Sequence, residues 1–452
     1  YFIVSALLYI FAPTKYNLLF CNVVTIVFLV QIVPFIIRKS NGNYVNFYAV
    51  FFLAFFFTNF FYPTALYPID PGFFTMFTYP FDYSYINKGT ALALLAASSF
   101  VVGVTRIKIN SNEINSKTQK KYYLPHKPAT YISIFLFSLF LATVGGDFLA
   151  GDFTGHSIFS TYVLQLLTCS LVLAPIIFFK YFKVQKKRKY FYALTIFYII
   201  LFLSIGDRGP ALYLLVLIAG LYTFYIRKIT LVYLIVFGII GMIGMHLIGI
   251  GRTTDVSDAE GNVISRGIER AESENQFQSY YAVTQSFAAN NRNLYVGLEY
   301  VDENGLNWGE TYLPSLLGVI PFAQSAFEYI FNIDIGGSAD FFTELTFNEI
   351  RKERSYGLGT NLVADVYISF GVIGVIVLFL LLGRIVEKYR KKTMVKGDIY
   401  SSIIYFTLLS YSIYYPRTGM LFPLKFIVWT FVIYHLSRQF KILKPKFIFS
   451  KR

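Results

Sequence analysis

Cysteine is nearly absent from this chain. The two present, Cys21 and Cys169, both lie inside apolar segments, so no disulfide framework and no cysteine metal site is indicated. Charged residues are also scarce, at 14%, against about a quarter in ordinary soluble chains. The four histidines, His126, His156, His246 and His435, are scattered and form no metal-ligand spacing. No Asp-x-Asp pair occurs. Residue 1 is Tyr, so the first apolar segment is expected to be truncated, and no cleavable signal peptide is visible.

What is abundant is apolar: 56% of residues are hydrophobic and 19% aromatic. A chain of this composition has the bilayer as its solvent. The net charge of +15 would by itself suggest nucleic acid. The cations lie in juxtamembrane loops, however, where topology and anionic lipid headgroups account for them, so no nucleic-acid partner is expected.

A hydrocarbon core about 30 Å thick takes roughly twenty helical residues. On that ruler the sequence predicts twelve spans, near 1–12, 18–37, 47–62, 89–105, 131–145, 158–179, 191–205, 211–226, 231–250, 360–383, 399–415 and 421–437. Of the 40 Lys and Arg, 28 fall in six loops: Arg38-Lys39, 106–130, 180–190, Arg227-Lys228, 384–398 and the tail from Arg438. Each of these loops follows an even number of crossings. Cytoplasmic loops carry the cationic excess, so both termini are expected in the cytoplasm. Residues 251–360, which hold 16 of the 25 acidic residues, are expected outside. The fold class is therefore an all-α integral membrane protein. Helices 1–9 occupy 1–250, an external and mainly helical cap 251–359, and helices 10–12 with a basic tail 360–452.

Spans 191–205 and 211–226 are short and joined by Gly206-Asp207-Arg208-Gly209-Pro210. If they stop below the membrane surface, Arg208 sits at membrane depth, where charge is tolerated only inside protein or in a wet cavity. The alternative is an exposed hairpin turn with snorkelling neighbours. The cavity is preferred, because an arginine in a span marks function by default. The glycines of 231–250 (Gly238, Gly241, Gly244, Gly249, with Gly251 following) read as a close-packing face, and His246 as a packing residue. In the outer loop, 265–290 suits an amphipathic helix lying on the membrane or capping a cavity, and 314–330 is apolar enough to dip into the interface. Asp365 follows the Gly357-Leu358-Gly359 hinge by about two turns and lies inside the outer end of a span. An Arg or a backbone amide holding it for helix-end stability is one role, and catalysis is the other.

Together these segments resemble the Wzy-type O-antigen polymerases, the oligosaccharide repeat-unit polymerases of bacterial envelopes. Gly206-Asp207-Arg208-Gly209 is similar to that family's Gly-hydroxyl-Arg-small turn, although Asp207 stands where a small polar residue is usual. Gly359 to Gly374 resembles its Gly-rich entry and Phe-Gly-x-x-Gly helix. Tyr415-Pro416-Arg417-Thr418-Gly419 resembles its last outer turn. The Arg-x10-Gly spacing described for some members is missing from the outer loop, so the loop arginines carry no inherited role.

The resemblance implies a GT-C-like architecture and a membrane glycosyltransferase of lipopolysaccharide biosynthesis in the bacterial inner membrane, with its large loop periplasmic. It would act on undecaprenyl-pyrophosphate-linked oligosaccharides among membrane lipids, with a chain-length regulator protein as a further partner. Arg208, Arg252 and Arg417, each at an outer helix end after a Gly or Pro, would hold pyrophosphate, since a guanidinium binds phosphate oxygens through a planar fork and keeps its charge in apolar surroundings. Arg208, Arg417 and Asp365 would be the catalytic residues, with Asp365 as proton acceptor and no cofactor or metal. Two alternatives carry less support. An O-antigen ligase would favour a histidine between 251 and 360, where none occurs. A transporter or flippase of lipid-linked sugars would favour two related halves, and no internal repeat is evident.

Reporters fused at Arg390 and Asn304 are expected to read opposite sides of the membrane. The same side for both would overturn the topology.

Overall fold

The structure is a computed structural model and describes residues 1–71, 81–107, 126–144, 157–181, 188–251, 263–273, 289–350 and 357–442. Every apolar segment anticipated from the sequence is helical. In chain order these are α1 (Phe2–Ile10), α2 (Leu18–Ser40), α3 (Phe47–Asn59), α4 (Tyr85–Thr105), α5 (His126–Thr143), α6 (Ile158–Tyr181), α7 (Arg188–Ile205), α8 (Arg208–Tyr225) and α9 (Leu231–Ile250). The outer loop contributes α10 (Val263–Ser273), α11 (Arg292–Asn304), α12 (Leu313–Leu317), α13 (Ala323–Phe331) and α14 (Ser338–Glu349). The chain then forms α15 (Leu362–Lys396), α16 (Ile399–Tyr411) and α17 (Phe422–Ile442). No strand occurs among the described residues. Among the described residues, six helices, α2, α4, α6, α8, α9 and α15, are long and apolar enough to cross a membrane.

The centre of the bundle is the crossing of α4 and α15. Glycines make that approach possible. A Cβ on Gly103 would lie 2.1 Å from the Leu380 carbonyl oxygen, and one on Gly383 would lie 2.2 Å from that of Phe100. In lipid, where burial of apolar surface does not drive helices together, such backbone proximity supplies the dispersion contacts. The glycines of α9 behave differently. Gly238, Gly241 and Gly244 have nothing within 4 Å among the described residues, so close packing there is corrected. Small residues permit close approach but do not attract a neighbour, and α9 stands at the edge of the bundle with most of its surface open. Only its outer end packs as anticipated, Gly249 against Arg208 and Gly251 against Val263 and Gly267.

Helix lengths also differ from expectation. The spans read as short are α7 and α8, of 18 residues each. Asp207 caps α8 by accepting from the Gly209 amide at 3.2 Å, which draws Arg208, Gly209 and Pro210 into the first turn. The short helices are α3 and α16, with 13 residues each. At 1.5 Å per residue each is about 20 Å long, less than a hydrocarbon core of about 30 Å.

Helix α15 is broken at Gly371, whose φ of 62° and ψ of −162° are open to glycine alone without strain. The Asn307 amide of the outer loop donates to the Ile368 carbonyl beside the break at 2.9 Å. At the other end of the same helix, the fully buried Glu387 accepts from Lys39 at 2.8 Å, Arg390 at 2.7 Å and the Tyr48 hydroxyl at 2.5 Å, tying α2, α3 and α15 together.

The amphipathic helix anticipated over 265–290 is present as α10; residues 274–288 lie outside the described residues. Its Arg266 and Arg270 each donate, at 3.2 Å, to the terminal carbonyls of Gly251 and Ile250 at the end of α9. Within 314–330, Leu316, Ile320, Phe322, Tyr329 and Ile330 expose apolar surface.

Gly383→Leu should sharply reduce the folded protein recovered from membranes, because backbone rather than a movable side chain blocks the added atoms. Gly241→Leu should leave recovery near wild type. Size-exclusion profiles of fluorescent fusions measure both, and equal recovery would refute the packing assigned to α4 and α15.

Candidate active site

Helix α16 ends early, and the turn that follows, Tyr415 to Met420, carries Arg417. The turn is closed by the Tyr415 hydroxyl, which donates to the Met420 carbonyl at 2.7 Å, while the Tyr415 ring packs on Phe47 and Phe51. Arg417 donates from Nε to the Asn290 Oδ1 at 2.6 Å.

Arg208 reaches the same region from the start of α8. Its Nη1 donates to the Met245 carbonyl of α9 at 2.8 Å. Gly249 makes room for it, since a Cβ there would come within 2.9 Å of Nη1. Nearby, Tyr213 and Tyr414 pack edge to face with ring centroids 5.2 Å apart. Tyr414 lies in the field of both guanidiniums and of Asp207. Burial first, and then the Arg208 guanidinium, hold the Arg417 pKa below the ordinary arginine value, with the Tyr414 hydroxyl opposing them. Two arginines with Asp207 nearby leave this region net cationic among the described residues.

Asp365 lies across the turn from Arg417. It is 1% exposed. Its Oδ2 accepts from the Met420 amide at 2.8 Å, and the hydroxyls of Ser338 and Tyr312 stand beside the carboxylate. Of the two holders anticipated, an arginine or a backbone amide, the structure has the amide. A Cβ on Gly419 would stand in ordinary contact, 3.4 Å, with both carboxylate oxygens, so the turn lies directly against the acid. The same six-residue turn presents Arg417 and is gripped by Asp365.

Arg252 lies outside the described residues. His246 is buried within the field of Arg208. Glu344 is on the exposed face of α14.

Sequence reading missed the amides beneath this site. Asn59, Asn290, Asn291, Asn293 and Asn361 are all at most 3% exposed. Asn361 caps α15, accepting from the Val363 amide at 2.9 Å, and donates to the Asn59 Oδ1 at 2.9 Å. Asn291 donates to the Asn59 carbonyl at 3.2 Å. Asn293 donates to the Gly359 carbonyl at 3.0 Å, and Asn290 to that of Leu358 at 3.1 Å. One signal was available: an asparagine such as Asn59 in a run of aromatics is costly to bury without partners.

Comparison with known proteins identifies the family. The family model described as O-antigen polysaccharide polymerase Wzy matches residues 1–438. Neither the curated proteins nor the solved structures gave a match. The matched region takes in both arginine turns and the helix that carries Asp365, and it spans nearly the whole chain: this protein belongs to the Wzy family of O-antigen polysaccharide polymerases.

Proposed function

We propose that the protein joins undecaprenyl-pyrophosphate-linked oligosaccharide repeat units on the periplasmic face of the inner membrane. All twelve apolar helices cross the membrane in this reading, both termini are cytoplasmic, and 251–359 forms the periplasmic cap. The observation that carries the reading is that Arg208, at the start of α8, and Arg417, in the turn after α16, share one electrostatic field around Tyr414, each tethered by a neutral group. Paired guanidiniums in apolar surroundings call for an anion of matching geometry, and a pyrophosphate supplies it.

In the reaction a sugar hydroxyl of the incoming unit attacks the anomeric carbon of the growing chain. The new carbon–oxygen bond forms as the bond from that carbon to the phosphate oxygen breaks. The undecaprenyl pyrophosphate departs with the bonding electrons, and the hydroxyl proton must be taken up. Arg208 and Arg417 stabilise the charge developing on the leaving group, with Arg252 as a third member. Asp365 is the assigned proton acceptor. It is covered by Ser338 and Tyr312, so this role requires those outer-loop residues to withdraw when acceptor enters. The Met420 contact favours a second role for Asp365, as the staple of the Arg417 turn.

Arg208→Lys and Arg417→Lys keep a charge but lose the fork, and each should lower polymerisation about 100-fold. Wild-type glycan ladders from both would remove the assignment. Loss of polymerase leaves a single capped repeat at the surface, whereas loss of a flippase leaves none. For Asp365→Asn, retained donor binding with lost transfer identifies the proton acceptor, and reduced protein in the membrane identifies the staple. A well-expressed variant of normal rate would exclude both.

A further inference from the structure

We infer that Asn290 is the positioning residue for Arg417, so that docking of the outer loop and presentation of the guanidinium are a single event. The inference rests on the pyrophosphate role proposed for Arg417. Asn290 lies 127 residues from Arg417 in the chain and accepts from its Nε at 2.6 Å. Held at Nε, the fork keeps its two Nη groups for a ligand, and its plane is fixed by the amide.

Asn290 is itself fixed from two sides. Its Nδ2 donates to the Leu358 carbonyl at 3.1 Å, and its own carbonyl accepts from Asn361 Nδ2 at 3.4 Å. Gly359 has φ of +67°, and a Cβ there would lie 2.6 Å from the Asn290 Nδ2. The glycine thus lets the hinge pass directly over the amide. Beyond the hinge, Asn361 caps the helix that holds Asp365. One amide therefore links the outer loop, the hinge and the arginine turn.

Its chemistry suits the task. A carboxylate at this position could accept from Arg417 but could not donate to the Leu358 carbonyl, and it would cancel the charge of the guanidinium. A neutral amide orients the guanidinium and leaves it cationic for a phosphate.

Three variants of the full-length protein, assayed in membranes on lipid-pyrophosphate repeat units, test this. Asn290→Ala should lower kcat per folded molecule about 100-fold. Asn290→Asp keeps an acceptor for the Arg417 Nε but gives up the bond to Leu358, and should raise the donor KM at least about 10-fold, through neutralisation. Asn293→Ala removes a comparable loop-to-hinge bond that does not touch Arg417, and its kcat per folded molecule should stay near wild type. Equal kcat for Asn290→Ala and Asn293→Ala, or an unchanged donor KM in Asn290→Asp, overturns the inference. If Asn290→Ala is not recovered folded, the Asn290→Asp KM decides alone. An inactive Arg417→Lys alongside a normal Asn290→Ala defeats only the positioning role. An active Arg417→Lys defeats the pyrophosphate reading and this inference with it.

Discussion

A guanidinium held in apolar surroundings needs polar company, and much of the architecture around the outer ends of α8 and α16 meets that need. Arg417 follows a helix of 13 residues, about 20 Å long, and lies in the turn after it. Its neighbours are an asparagine, tyrosines and a second arginine. Such an arrangement is costly to desolvate and is retained where a bound anion completes it. Helix α3, equally short, ends at Asn59, which receives Asn291 from the loop and Asn361 from the start of α15. The two truncated helices thus leave room for a layer of buried amides between bundle and cap.

That layer gives the outer loop a structural reason to be ordered where it touches the bundle. Asparagine can donate and accept at once, and each buried amide here bonds to backbone or to another amide, so the loop docks through groups that would be unsatisfied if it lifted. The break at Gly371 follows the same logic, since the loop amide of Asn307 meets the Ile368 carbonyl. Removing or reseating the cap therefore reaches both Arg417 and the helix of Asp365.

Much of this was legible in the sequence. Apolarity located all twelve helices, and the resemblance to Wzy polymerases singled out Arg208 and Arg417, which the fold brings together, and Asp365, which it places against the same turn. The failures have physical causes. Helix ends shifted at Arg208 because Asp207 acts as an N-cap, a role that depends on backbone geometry rather than hydropathy. Glycine periodicity in α9 does not reveal whether a neighbour is present, so the close crossing at Gly103 and Gly383 was overlooked. The contact from Asn290 to Arg417 spans 127 residues, and no local pattern records a pairing that only the closed fold creates.

The most direct test of an arginine-based polymerase is extension of a defined undecaprenyl-pyrophosphate repeat unit by the purified protein, in lipid and with a metal chelator present. A ladder of products that grows by whole repeats, with release of undecaprenyl pyrophosphate, and that is lost in Arg417→Lys, is the predicted result. Failure to extend without an added divalent cation, or an equal ladder from the Arg417→Lys protein, would contradict it.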